Sequence, residues 1–226
     1  MSKLADGIRW FKQSFSTQIN AAVVQKPFGL DLMTALATQE TFEVWGNLFT
    51  TIPVATILEV CVGDTIDAPG RTAFPTTKSN LLTDPNGQQL FAIARSALEA
   101  VGEYNATYHK VAMANADKFC HGFGIFQYDI QFSRHGVDPD FFLNKKWFQF
   151  DQSLEKALSE LADAQTRAGF GGKASLSDLE QAYVAIAYNA GSFNPSRGLK
   201  QGFKDRSSGK YYGELIFEYL NLSKSI

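Results

Sequence analysis

The 226-residue chain is long enough for one large domain or two small ones, with material for a sizeable core. Its 45% hydrophobic and 19% charged residues are ordinary for a soluble globular protein, and aromatics at 13% suit a dense core or a cleft that stacks on flat ligands. A net charge of −2 with no run of five or more Lys and Arg argues against nucleic acid as a partner, and no apolar stretch approaches the ~18 residues of a membrane span.

The first periodic segment, over 5–23, predicts an amphipathic helix carrying Asp6, Arg9 and Lys12 on its polar side, rather than a signal peptide. The chain is therefore expected either to be cytoplasmic when made or to have lost a leader. A second helix is predicted over 30–46. On it, positions 33, 36, 37, 40 and 44 share one face, and Met33, Leu36, Ala37 and Val44 make that face core-like. Glu40 sits among them. A carboxyl group drawn towards low dielectric either finds a partner or keeps its proton to higher pH. A carboxylic acid still protonated near neutrality is what protonates a departing sugar oxygen in a glycosidase. The bland alternative is a boundary Glu whose head group reaches solvent.

Between 63 and 87 the composition turns to Gly, Pro, Thr, Asp and Asn, which predicts an irregular excursion. Asp64, Asp67 and Arg71 lie in it, and turn hydrogen bonds beside Gly63 and Pro69 are the structural reading of the two acids. A long helix is predicted over 88–116. The segment His121-Gly122-Phe123-Gly124-Ile125-Phe126-Gln127-Tyr128-Asp129 then places two glycines beside an amide, an aromatic face and a second carboxylate. Taken alone it reads as a glycine-rich turn.

Helices over 150–168 and 177–189 follow, separated by the loop 169–173. Ser177 and Glu180 have capping-box spacing, and Gly191 stands where a cap glycine ends the second helix. That helix finishes in Ala185-Ile186-Ala187-Tyr188-Asn189-Ala190-Gly191, whose small residues permit close packing and leave Tyr188 and Asn189 at its terminus. A loop over 191–210 and a helix over 211–222 complete the chain. Cys61 and Cys120 could pair, but in a domain of this size two cysteines read as buried thiols. His109, His121 and His135 lack metal-ligand spacing. The Gly169–Lys173 stretch departs from a phosphate loop at Arg167 and Ala174, and there is no Gly-x-Ser-x-Gly elbow.

In combination and in this order, Gln39-Glu40-Thr41, Gly122-Phe123-Gly124-Ile125-Phe126-Gln127-Tyr128-Asp129 and Ile186-Ala187-Tyr188-Asn189-Ala190-Gly191 resemble the lysozyme-like superfamily. The likeness is greatest to goose-type lysozymes and soluble lytic transglycosylases. It covers roughly 28–46 and 119–222, with Tyr211, Tyr212 and the helix through Leu220 similar to the family's closing helix. The resemblance implies a mainly α, lysozyme-like fold: a single domain over 1–226, with 47–118 inserted as part of the cleft or a small extra lobe. It implies cleavage of β-1,4 linkages in a polymer containing N-acetylglucosamine, peptidoglycan first and chitin second, outside the cytoplasm after export or lysis. No metal or organic cofactor is implied.

By position, Glu40 is then the general acid. Gln127 and Asn189 bind substrate amides or hydroxyls, and Tyr188 orients Glu40 or the sugar. Tyr128, Phe123 and Gly124 join the binding set. Asp129, then Asp64, are the candidates for the carboxylate opposite the acid. An inverting hydrolase needs such a base; a transglycosylase lets the substrate's own hydroxyl close on the sugar. The chain departs from the pattern in having Thr41 for the usual Ser, a far longer interval between Glu40 and Gly122, and a slightly negative charge. A chitosanase-like hydrolase on the same fold and a non-catalytic glycan-binding protein are the alternatives.

Overall fold

The computed structural model describes residues 2–65, 75, 77–131 and 138–226. In chain order these form α1 (Lys3–Ala22), α2 (Leu30–Trp45), α3 (Val54–Val60), β1 (Val62–Gly63), α4 (Lys78–Leu81), α5 (Gly87–Gly102), α6 (Ala106–Ala114), β2 (Gly122–Phe123), β3 (Tyr128–Asp129), α7 (Pro139–Leu143), α8 (Phe150–Arg167), α9 (Asp178–Ala190) and α10 (Tyr212–Lys224). Single 3₁₀ turns occupy Lys146–Phe148 and Pro195–Arg197. The protein is mainly α-helical, with one small three-stranded sheet among the described residues. No helix among them is long and apolar enough to cross a membrane.

The chain falls into two compact units, Met1–Phe42 with Leu154–Ile226, and Glu43–Ser153. The second unit is larger than the insertion expected over 47–118, and it takes in the whole glycine-rich segment around Gly122.

In the first unit, apolar side chains recur every three or four residues and set the helices. Ile8, Phe11, Phe15 and Ile19 line the buried face of α1. Met33, Leu36 and Ala37 on α2 are fully buried, as their shared face predicts. Ser177 and Glu180 close the capping box of α9, and Gly191, at φ +75°, ends it in the left-handed conformation a β-carbon disfavours. α9 and α1 both pack on α10. Lys12 Nζ donates to Asp31 Oδ1 at 3.0 Å and to the Ser223 carbonyl at 2.8 Å, and Ser223 Oγ donates to the same Asp31 oxygen at 2.7 Å. One half-buried lysine thereby ties α1, α2 and α10 together.

In the second unit, the helix predicted over 88–116 is two helices. Asn105 caps α6, its side chain accepting from the backbone N–H groups of Thr107 and Tyr108. The first turn of α6 lies so close to Gly102 that a β-carbon there would stand 3.1 Å from His109 Cα. The sequence reading missed α3 because its Val, Thr and Ile residues are β-branched and weak helix formers. Burial of Ile57, Leu58 and Val60 overrides that local preference, and Trp147 Nε1 donates to the Glu59 carbonyl at 3.2 Å. The glycine-rich segment is the hairpin β2–β3, with β1 antiparallel to β2 (Val62 opposite Phe123, Gly63 opposite Gly122). That register answers the cysteine question. Cys61 precedes β1 at its Val62 end and Cys120 precedes β2 at the Gly63 end, and both are buried thiols, as the sequence reading expects.

Candidate active site

Glu40 stands on α2, half-buried among the core residues that flank it in sequence. Its partner comes from the far end of the chain. Tyr212 Oη donates to Glu40 Oε1 at 2.6 Å, bridging 172 positions of sequence. Tyr212 is buried, and burial, the Glu40 charge and the Glu40 hydrogen bond push its phenol well above the ordinary value near 10, with a smaller contribution from Tyr188. The hydroxyl therefore stays neutral and remains a donor.

The packing around Tyr212 explains how one side chain is aimed so far from its partner in sequence. The Tyr212 N–H donates to the Phe203 carbonyl at 2.8 Å. Gly202 has φ +80°, and a β-carbon on it would stand 2.6 Å from Tyr212 Cβ and 3.2 Å from Asn189 Oδ1. At Gly213 a β-carbon would stand 2.5 Å from both Ile186 Cδ1 and the Leu199 carbonyl oxygen. Two glycines thus let α10 start in close contact with α9. Tyr188 is half-buried and Asn189 exposed at the end of α9. Of the residues expected at the site, Glu40, Tyr188 and Asn189 belong to the first unit. Tyr212 joins them, a residue the sequence reading placed only in the closing helix.

The other expected residues belong to the second unit. Gln127 has φ +53°, rare for a residue with a β-carbon, and its Nε2 donates to the Gly124 carbonyl at 2.9 Å. Its Oε1 lies over two glycines. A β-carbon at Gly63 would stand 3.1 Å from Gln127 Oε1 and 2.9 Å from Tyr108 Oη. One at Gly122 would collide with Gln127 Oε1 and stand 2.9 Å from Asp129 Oδ1. Gly63 and Gly122 are cross-strand partners, so one small patch of sheet gathers Tyr108, Gln127 and Asp129.

Asp64, at φ +49°, accepts the His121 N–H on its carbonyl at 2.9 Å, and its charge helps raise both the Tyr108 phenol and the Cys120 thiol. The ring nitrogens of buried His121 lie 2.6 Å and 2.8 Å from the Asp64 and Pro75 carbonyls, so this histidine packs within the fold. Asp67, Arg71 and His135 lie outside the described residues.

Of the expected binding residues, Phe123 lies in the core and Tyr128 is half-buried. Phe123 is 1% exposed and packs edge-on against Phe142 and Trp147, so its side chain offers no surface to a ligand. Tyr128 stacks on Phe142 with rings 9° from parallel, and its hydroxyl accepts from the Asp138 N–H at 3.2 Å. Gly124, at φ +80°, turns the hairpin, and a β-carbon there would stand 2.8 Å from Ser153 Oγ.

Sequence reasoning passed over Glu43. Tyr108 Oη donates to Glu43 Oε1 at 2.9 Å, and burial, followed by the Glu43 charge, raises the Tyr108 phenol far above its usual range. The available signal was spacing, since Glu43 follows Glu40 by three residues on a helix. No three His, Cys, Asp or Glu side chains among the described residues group as a metal site requires.

Comparison of the chain with protein-family models, with curated proteins and with solved structures returned no match.

Proposed function

We propose that the chain is a lysozyme-like enzyme that cleaves β-1,4 linkages in a polymer containing N-acetylglucosamine, with Glu40 as general acid. The observation that carries this reading is the Tyr212–Glu40 hydrogen bond. A carboxyl group that only snorkels from a helix boundary has no need of a buried tyrosine aimed at it. With Oε1 accepting from Tyr212, the proton of the neutral acid resides on Oε2, and that oxygen delivers it to the departing sugar oxygen. Tyr212 is then a positioning residue that fixes which oxygen carries the proton. The resemblance of three sequence segments to goose-type lysozymes and lytic transglycosylases supports the substrate class. Water activated by a second carboxylate and the substrate's own hydroxyl are the alternative nucleophiles.

Glu40→Gln tests the assignment while preserving an acceptor for Tyr212. Cleavage of peptidoglycan or N-acetylglucosamine oligomers is expected to fall about 10²–10⁴-fold, the usual contribution of a general acid. Intact cleavage in the variant, or none in the native protein, ends the catalytic reading and leaves glycan binding. Product mass decides the second step. Fragments one water lighter than hydrolysis products carry anhydro ends and mark transglycosylation, whereas ordinary reducing ends mark hydrolysis and a working base.

A further inference from the structure

The loop that leads into Tyr212 is also where positive charge collects. Residues 197–210 hold five of the chain's 21 lysines and arginines but one of its 23 acids, so the rest of the chain is more negative than the −2 of the whole. All five cations are exposed. Lys210 Nζ donates to both Glu218 carboxylate oxygens, at 2.7 Å and 2.8 Å. Among the described residues no carboxylate pairs with Arg197, Lys200, Lys204 or Arg206. The segment's one acid, Asp205, is committed to its own turn. It accepts from the Ser208 and Ser207 hydroxyls and from both of their backbone N–H groups, which hold its carboxyl group well below the usual range.

The loop is tied down internally and to the site. Buried Gln201 donates from Nε2 to the Asn194 and Gly198 carbonyls at 2.9 Å and 2.6 Å, and its Oε1 accepts the Asn194 N–H at 2.8 Å. Lys204 pairs with Tyr211 in a single antiparallel bridge. The Phe203 carbonyl accepts the Tyr212 N–H while the Tyr212 hydroxyl reaches Glu40, so one residue joins the basic loop to the proposed acid.

Resting on the glycosidase reading above, we propose that the 197–210 loop is a recognition surface for the carboxylates of an anionic glycan, with Arg197, Lys200, Lys204 and Arg206 as its cations. Peptidoglycan bears carboxylates on its lactyl ethers and stem peptides, whereas chitin bears none, so the loop narrows the substrate class to the former. Unpaired cations on one ordered loop of an otherwise acidic chain make a local positive field that draws an anionic polymer to this edge of the site. The two guanidinium groups suit bidentate capture of a carboxylate, and the lysines act as point charges. An anionic membrane would also be drawn to such charge, and Phe203, 64% exposed, would suit it. The loop's direct link to the tyrosine on Glu40 favours the glycan.

The test measures retention of the Glu40→Gln protein, chosen to keep the polymer intact, on insoluble peptidoglycan and on the same polymer with its carboxylates converted to neutral amides. Free carboxylates are expected to tighten binding about five- to tenfold at low salt, an advantage that fades towards 1 M salt, where the screening length is about 3 Å. Adding Lys200→Gln and Arg206→Gln should remove most of that advantage and leave binding to the amidated polymer and to chitin unchanged. Lys26→Gln with Lys110→Gln removes the same charge from exposed positions outside the loop and should preserve it. The proposal is overturned if the loop variant keeps the full advantage, or if the control pair loses it equally, since net charge rather than the loop then governs. Stronger retention on vesicles of anionic phospholipid than on peptidoglycan overturns it too. The amidation comparison leaves the loop unaltered, so a folding defect in a variant cannot mimic its result. If the Glu40→Gln protein binds neither peptidoglycan nor chitin, the glycan reading itself falls. Binding that is present but indifferent to carboxylates removes this inference alone.

Discussion

Glu40 and Glu43 lie three residues apart in sequence, and each receives a tyrosine hydroxyl, yet the two pairs are built differently. In the first unit Tyr212 donates to a half-buried Glu40 at 2.6 Å; in the second Tyr108 donates to an exposed Glu43 at 2.9 Å. Tyr212 is held where contacts at Gly202 and Gly213 include backbone or Cβ atoms, whereas the contact at Gly63 is with the tip of Tyr108. A hydrogen bond gains strength as water is excluded, so the same donor–acceptor pair is worth more at Glu40 than at Glu43. The difference separates a carboxyl group whose geometry is imposed by the fold from one that solvent can also satisfy.

The largest contrast is expected in activity. Glu40→Gln should abolish nearly all glycan cleavage while Glu43→Gln retains activity within a few-fold of the native rate, roughly the spread between a general acid and a bystander. The reverse order in a turnover assay would hand the catalytic role to Glu43.

Next come the glycines. Gly213→Ala must displace the Leu199 backbone as well as Ile186 and should cost about 1–3 kcal/mol by denaturant unfolding. Gly63→Ala meets the flexible ends of Tyr108 and Gln127 and should cost less; equal losses would remove the contrast between backbone-held and tip-held tyrosines.

Removing the hydroxyls gives a smaller effect. Tyr212→Phe takes a donor from the half-buried Glu40 carboxyl group and should cost about 0.5–1.5 kcal/mol together with a fall in kcat at unchanged KM. Tyr108→Phe, opposite an exposed acid, should cost about 0.5–1 kcal/mol and leave kcat alone. A fall in kcat for Tyr108→Phe would bring the Gly63–Gly122 patch into the chemistry.

The smallest effect is alkaline. Tyr212 and Tyr108 both have phenols raised in the folded state, so the unfolded chain releases their protons first. Their contribution is complete below about pH 10 and declines as pH rises above it. Denaturant midpoints followed from pH 9 to 12 should fall, and each Tyr→Phe variant should fall less steeply; parallel curves would contradict the burial assigned to these rings.

Much of the first unit was legible because the information is local. The buried face of α2, the Ser177–Glu180 box and the Gly191 cap each depend on residues within a turn or two of one another. The break before α6 and the existence of α3 were not legible. In the first a close approach at Gly102 outweighs a continuous apolar pattern, and in the second burial outweighs β-branched residues with little helical preference. At the candidate site, Glu40 stood out as an acid on an apolar face, but its tyrosine did not. Phe123 looked like a ligand contact because an aromatic beside glycines has no periodic signature that distinguishes a cleft from a core.

The sequence by itself determined that the protein is mainly helical and that Glu40 is out of pattern, since helical periodicity and capping are set by spacing along the chain. Only the tertiary structure decided which groups meet that acid. The Tyr212 hydroxyl arrives from 172 positions away, through α10 set down on α9 at two glycines. Contacts of that kind arise from packing in three dimensions, and no spacing along one dimension encodes them.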